Sequence, residues 1–246
     1  TSSRLSHLSS SSALSASLPA IDRRAVVGRH SPVLSGADDA VLSVGNGAFA
    51  AGVDRTGTQT FTGPGHAETR INTLAEWGWH TLPTPPPAAW ESLLRTYRTP
   101  HGEAQYMDLP RGTEDPGEAA GWFRENPHKV SLLRFHLVDP STGQAPRAEE
   151  ITGERQQLDL WTGTIRSSFR FRGHECLVVT VADPEQPVLA LQLTTPGLDL
   201  GLEFPYGTAA WRLAADWARP DAHTTRLGGG VIRRAMDDLS YDVEGS

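Results

Sequence analysis

The 246 residues carry 22 basic and 29 acidic side chains, a net charge of −7, which argues against a general phosphate-backbone binder with its basic surface. A single cysteine, Cys176, excludes an intramolecular disulfide and a thiolate zinc cluster, though one thiol does not fix the compartment. No apolar run reaches the ~18 residues of a membrane-spanning helix, and a chain of this length buries about 70–75% of its unfolded surface without a staple.

The first twenty residues, TSSRLSHLSSSSALSASLPA, are almost all Ser, Ala and Leu. They read as a disordered tail or as the remnant of a targeting segment. The fold signal begins at IDRRAVVGRHSPVL. Residues 40–61, AVLSVGNGAFAAGVDRTGTQTF, read as strand, turn, strand, turn, strand. Asn46–Gly47 is placed for a type I′ hairpin turn, which wants φ > 0 at both central positions. Residues 62–130 are rich in Pro and Gly and predict a long loop-rich insertion. Within it PAAWESLLRTYR (87–98) predicts one short helix, with Pro87 at its start and an apolar side of Ala89, Leu93, Leu94 and Tyr97.

From residue 131 onward strands return: SLLRFHLVD, QQLDLWTG, TIRSSFRFRG, HECLVVTVAD, PVLALQLTT, LDLGLEFPYG and GVIRRAMDDLSYDVEG. Ile165, Ser167, Phe169 and Phe171 share one face of their strand. About a dozen short strands with regular turns predict an all-β domain over 21–246: an antiparallel β-supersandwich with long loops and one or two short helices.

Most catalytic signatures are absent. There is no P-loop, no dinucleotide fingerprint, no His-Glu-x-x-His and no nucleophile elbow. His174 and Glu175 precede Cys176 on a strand and point to opposite faces, so the thiol reads as a small buried apolar group. No twelve-residue acidic calcium loop occurs, and neither metal nor cofactor is expected. Glu76, Glu103, Asp108 and Glu125 are candidate carboxylates by location only, and no acid/base pair can be chosen among them. Asp237–Asp238 and Glu149–Glu150 read as solvated turn charges.

Two stretches stand out. EWGWHTLPTPPP (76–87) and GWFRENPHKV (121–130) crowd aromatics and hydrogen-bonding groups without helix or strand periodicity. Indole faces suit the apolar C–H face of a sugar ring, while directed polar groups suit its rim. Trp77, Trp79, His80, Trp122, Arg124, Asn126 and His128 are therefore candidate saccharide-binding residues. The alternative is that these indoles, with Phe123, fill the core beneath a long loop.

The strings LSVGNGAFAAGVDRTGTQTF, EWGWHTLP, WFRENPHKVSLLRF and QQLDLWTGTIRSSFRFRG together resemble the N-terminal region of bacterial proteins similar to glycoside hydrolase family 65, in the six-hairpin glycosidase superfamily. The resemblance runs from about Ile21 to the C-terminus. It implies a β-supersandwich followed by linker helices and an (α/α)6 barrel that carries the catalytic carboxylates. On that resemblance the expected function is to form one side of a substrate pocket, acting with the barrel on an oligosaccharide or glycoside. The chain looks like the N-terminal piece of a longer enzyme or a shortened gene model, so no catalytic residue is expected in it. Two alternatives stay open: a non-catalytic carbohydrate-binding module using the same aromatics, and a mutarotase-like epimerase enlisting His136, His174 and a Glu. Nucleic-acid and membrane partners are not expected.

Overall fold

The computed structural model describes residues 20–36, 40–61, 71–107, 117–210 and 214–245; all but the last residue of the proposed tail at 1–20, and Asp108, lie outside them. Helix α1 (Arg23–Gly28) is capped by Asp22, whose carboxylate accepts from the Ala25 N–H at 3.0 Å. Strands β1 (Val33–Ser35), β2 (Leu42–Gly45) and β3 (Phe49–Val53) follow. The insertion supplies β4 (Thr73–Ala75), β5 (Trp79–His80), β6 (Leu94–Thr99), β7 (Gly102–Met107), helix α2 (Gly117–Glu125) and β8 (His128–Lys129). Next come β9 (Arg134–Val138), β10 (Ile151–Asp159), β11 (Thr164–Phe171), β12 (His174–Ala182), β13 (Leu189–Thr194) and β14 (Asp199–Glu203). The described chain closes with β15 (Thr224–Gly228), β16 (Val231–Met236) and β17 (Leu239–Glu244).

All strand pairings are antiparallel. The largest sheet has the order β1-β10-β11-β12-β13, accompanied by β2-β3-β4, β15-β16-β17 and the pairs β14-β9, β5-β8 and β6-β7. The protein is thus all-β and sandwich-like, with two short α-helices among the described residues. Alternation places Ile165, Ser167, Phe169 and Phe171 of β11 inside, as their spacing predicts. Ile165 packs with Leu42, Val44, Ala51, Val53 and Phe135, and Phe169 and Phe171 pack with Leu137, Ile151, Cys176 and Val178. Burying each large apolar side chain contributes about 1.5–3 kcal/mol. Cys176 is buried here, and burial pushes its thiol up.

A third apolar cluster joins Phe49, Ala75, Val130 and Leu132 to Tyr206, Met236, Leu239 and Tyr241. It clamps the insertion onto the β16–β17 hairpin. The Tyr241 hydroxyl donates to the Leu132 carbonyl across this seam.

Three local expectations are corrected. The stretch 87–98 is no α-helix: Trp90–Leu93 make one 3-10 turn, and Leu94–Thr99 form β6, paired from Leu94↔Met107 to Thr99↔Gly102. Thr96, Tyr97 and Thr99 favour a pleated backbone, and the cross-strand partner outweighs the helical start signal. The hairpin at 46–47 forms, but only Gly47 has positive φ, at 94°. Asn46 instead accepts from the Ala48 and Phe49 N–H groups and donates to the Asp183 and Gln186 carbonyls. Finally, residues 54–61 make no third strand. Thr56, Thr58 and Thr60 are buried with their hydroxyls linked in series at 2.7 Å, and the Asp54 carboxylate accepts from Thr56 and Phe61. Burial pushes Asp54 up against the pull of those hydrogen bonds.

Candidate functional site

The two aromatic stretches are brought together by a two-residue ladder. β5 pairs with β8 in the register Trp79↔Lys129 and His80↔His128. Along 77–80 the chain alternates out, in, out, in: Trp77 is 44% and Trp79 47% exposed, while Gly78 and His80 are buried. Period two explains the spacing of WGWH. Gly78 lies close to the Leu132 side chain, where a Cβ would approach within 3.2 Å. Outside, Trp77 packs against Tyr241 at 5.8 Å between ring centroids. Lys129 Nζ sits 4.2 Å from the Trp79 ring centre while donating to the Ala75 and Glu76 carbonyls, a cation–π contact that holds the indole flat on its support.

Inside, His80 is fully buried and forms the middle of a hydrogen-bonded chain. His128 Nδ1 donates to the Glu125 carbonyl at 2.9 Å, His128 Nε2 faces His80 Nδ1 at 3.0 Å, and His80 Nε2 faces Asp237 Oδ2 at 2.7 Å. Tyr206 donates its hydroxyl to the same Asp237 oxygen. A carbonyl only accepts, so His128 carries a proton on Nδ1, and the neutral ring then accepts at Nε2. His80 Nδ1 must then donate. A carboxylate also only accepts, so the remaining contact closes with one further proton, shared between His80 Nε2 and Asp237 Oδ2.

The electrostatics follow. Burial by itself would push Asp237 up, but the hydrogen bonds from Tyr206 and His80, with the His80 and Arg219 charges, hold it below the usual carboxylate range. Burial and the adjoining Asp237 carboxylate push Tyr206 up to about 12. Burial holds His128 below the ordinary histidine range. Asp237 occupies the two-residue turn between Met236 and Leu239 with φ 39°, a left-handed backbone that costs a non-glycine residue energy. Its neighbour Asp238 accepts from the Thr81 N–H at 3.2 Å. Both carboxylates therefore grip the insertion, which corrects their reading as solvated turn charges.

Behind the turn, Arg234 of β16 is fully buried. It donates to the Thr224 and Pro205 carbonyls, the Thr225 hydroxyl and His223 Nδ1, with no carboxylate partner among the described residues. Pro205 precedes Tyr206, so Arg234 fixes the spacing of Tyr206 and Asp237. Gly207 completes the cage: a Cβ there would overlap the His80 ring.

The remaining predicted residues divide. Trp122 is half-buried on α2, donating to the Thr84 carbonyl at 2.8 Å and packed edge-on against Phe123. Asn126 is buried; it accepts from the Leu82 N–H and donates to the Trp122 carbonyl, so its amide shapes the loop and does not face outward. Arg124 is exposed in the last turn of α2. Glu76 and Glu125 are exposed, and Glu103 forms an exposed pair with Arg98 at 3.8 Å. Glu150 is not simply solvated: it caps the Arg147 N–H and meets Arg172 at 3.3 Å. Sequence reasoning missed Tyr206, Arg234 and Asp237. The clue available was Arg234, a charge at an inward-alternating position of its strand.

An open groove of about 390 Å³ lies elsewhere, lined by residues of the α1 segment with Gln157, Asp159 and Trp161. No group of three or more His, Cys, Asp or Glu among the described residues is arranged to hold a metal ion, and no helix among them is long and apolar enough to cross a membrane. No protein-family model and no curated protein matches the chain.

Proposed function

We propose that this chain is the sandwich domain of a glycoside hydrolase similar to family 65, whose insertion forms one wall of a saccharide site. The observation that supports it best is the β5–β8 ladder, which joins WGWH to the NPHK segment and leaves Trp77 and Trp79 half-exposed beside a rigid polar row. Large flat apolar groups with hydrogen-bonding neighbours match the amphipathic surface of a sugar. The catalytic carboxylates would come from an (α/α)6 barrel packed against this wall, and the reaction would be cleavage of an O-glycosidic bond.

The exposure of both indoles also favours a second reading, a non-catalytic carbohydrate-binding module with an open aromatic face. One titration separates the two. A module binds a disaccharide tightly enough to saturate as the purified chain, whereas half of a pocket gives only weak, unsaturated shifts of the Trp77 and Trp79 indole signals. Absence of any shift with maltose, cellobiose and trehalose would remove both. The 246-residue chain is expected to release no sugar from glycosides. In the full-length enzyme, Trp77→Ala and Arg124→Ala should lower turnover well beyond any loss of fold, and unchanged kinetics in both would defeat the wall model.

A further inference from the structure

We propose that Asp237 is the polar anchor of this saccharide face, its outward oxygen accepting from a sugar hydroxyl, with His80 and Tyr206 as the positioning residues that aim it. The inference rests on the saccharide reading and names the acceptor within it.

Three independent observations meet at this carboxylate. Its Oδ2 takes two donors, His80 Nε2 and the Tyr206 hydroxyl, whereas Oδ1 receives no hydrogen bond among the described residues and the side chain is 24% exposed. Its backbone sits at φ 39° in a turn that glycine would occupy more cheaply. Its supports are rigid: His80 and Tyr206 are both fully or almost fully buried, and Arg234 holds the Pro205 carbonyl next to Tyr206. A solvated turn charge needs none of this. A binding group does, because an acceptor held in place loses no rotamer freedom when the ligand arrives.

The surroundings fit a hydroxyl. Arg219 stacks 4.4 Å from the Tyr206 ring centre, and its charge acts on Asp237. A donor over the ring of Tyr206 and an acceptor at its hydroxyl match a sugar hydroxyl, which both gives and takes a hydrogen bond. Trp77 rests on Tyr241, in the strand that leaves the Asp237 turn, and Trp79 is the neighbour of His80. Trp77 and Asp237 thus both meet the β16–β17 hairpin. The groups that can titrate or carry charge around Asp237 are His80, His128, Tyr206, Asp238 and Arg219.

The test compares wild type, Asp237→Asn and Tyr206→Phe as the whole chain, titrated with maltose, cellobiose and trehalose and followed by the indole N–H signals of Trp77 and Trp79. Asp237→Asn keeps an oxygen for His80 and Tyr206 but turns a donor outward. It should weaken binding about tenfold or more, the cost of losing a charged acceptor, while the folded spectrum persists. Tyr206→Phe should shift the pH at which binding fails upward, because one donor that keeps the carboxylate ionised is gone; a purely structural clasp would not move that profile. Sugar-induced shifts that are equal in wild type and Asp237→Asn overturn the anchor and leave the saccharide wall standing. No shift with any of the three sugars in wild type overturns both. If Asp237→Asn fails to fold, the Tyr206→Phe pH profile decides the matter, and an unmoved profile rejects the proposal.

Discussion

His80 Nε2 and Asp237 Oδ2 lie 2.7 Å apart although 157 residues separate them in the chain. This contact, with the Tyr206 hydroxyl on the same oxygen, locks the aromatic insertion to the β16–β17 hairpin. The donor and acceptor count along the row places a proton on His80 Nδ1 and another in the contact between His80 Nε2 and Asp237 Oδ2. Nitrogen-15 imidazole spectra at neutral pH should therefore show His128 as the Nδ1–H tautomer and His80 Nδ1 protonated, with Nε2 proton-bearing or strongly hydrogen-bonded. A free, unprotonated His80 Nδ1 would contradict the geometry.

Removing the middle of the row should cost more than removing its end. His80→Ala empties a fully buried position and leaves half-buried His128 and the Asp237 carboxylate each without a partner, and a loss of about 2–4 kcal/mol is expected in urea unfolding. His128→Ala, at a half-buried position, should cost about 1 kcal/mol less. Equal losses would show that the row does not act from its centre.

Gly207→Ala tests the cage directly. A methyl group at that position would overlap the His80 ring, so either the ring or the 206–207 backbone must move. Overpacking of this kind costs about 1–3 kcal/mol, and the His80 nitrogen signals should change with it. Wild-type stability and unchanged signals would mean that the ring has room to spare.

The pH dependence has a definite sign at each group. His128 is held below its ordinary value of 6.5, so the unfolded chain binds that proton more readily. Its contribution is present above pH 6.5 and fades as pH falls toward the folded value. Asp237 is also lowered; its contribution is present above the ordinary carboxylate range and disappears as pH falls through the depressed value. Tyr206 is raised from 10.0 to about 12, so its contribution holds below pH 10 and is lost as pH climbs through about 12. His136 and His223 are lowered as well. The diagnostic is therefore the difference between wild type and His128→Gln in melting temperature across pH 5 to 7. A difference that does not change over that range would refute the assignment.

Arg234→Lys should be poorly tolerated despite keeping the charge. The guanidinium fork reaches the Pro205 carbonyl with Nη2 and three acceptors with Nη1, and a single ammonium cannot span them. A loss of about 3 kcal/mol is expected, accompanied by altered His80 signals, since Tyr206 and Asp237 would lose their spacing. A lysine variant as stable as wild type would show that the fork is dispensable.

The all-β class, the inward face of β11 and the burial of Cys176 are legible from residue order alone, because period-two alternation and turn residues are local properties that one strand displays unaided. The sequence also marked Trp77, Trp79, His80 and His128, through composition. That the two tryptophans face out while His80 faces in, that Asn126 is an internal brace, and that 94–99 is a strand emerge only from long-range packing. It alone revealed Tyr206, Arg234 and Asp237 as members of the site. The reason is physical: the proton row, the ladder register and the cage around His80 are made of contacts between segments up to 157 residues apart, and a contact between distant segments leaves no periodic trace in either one.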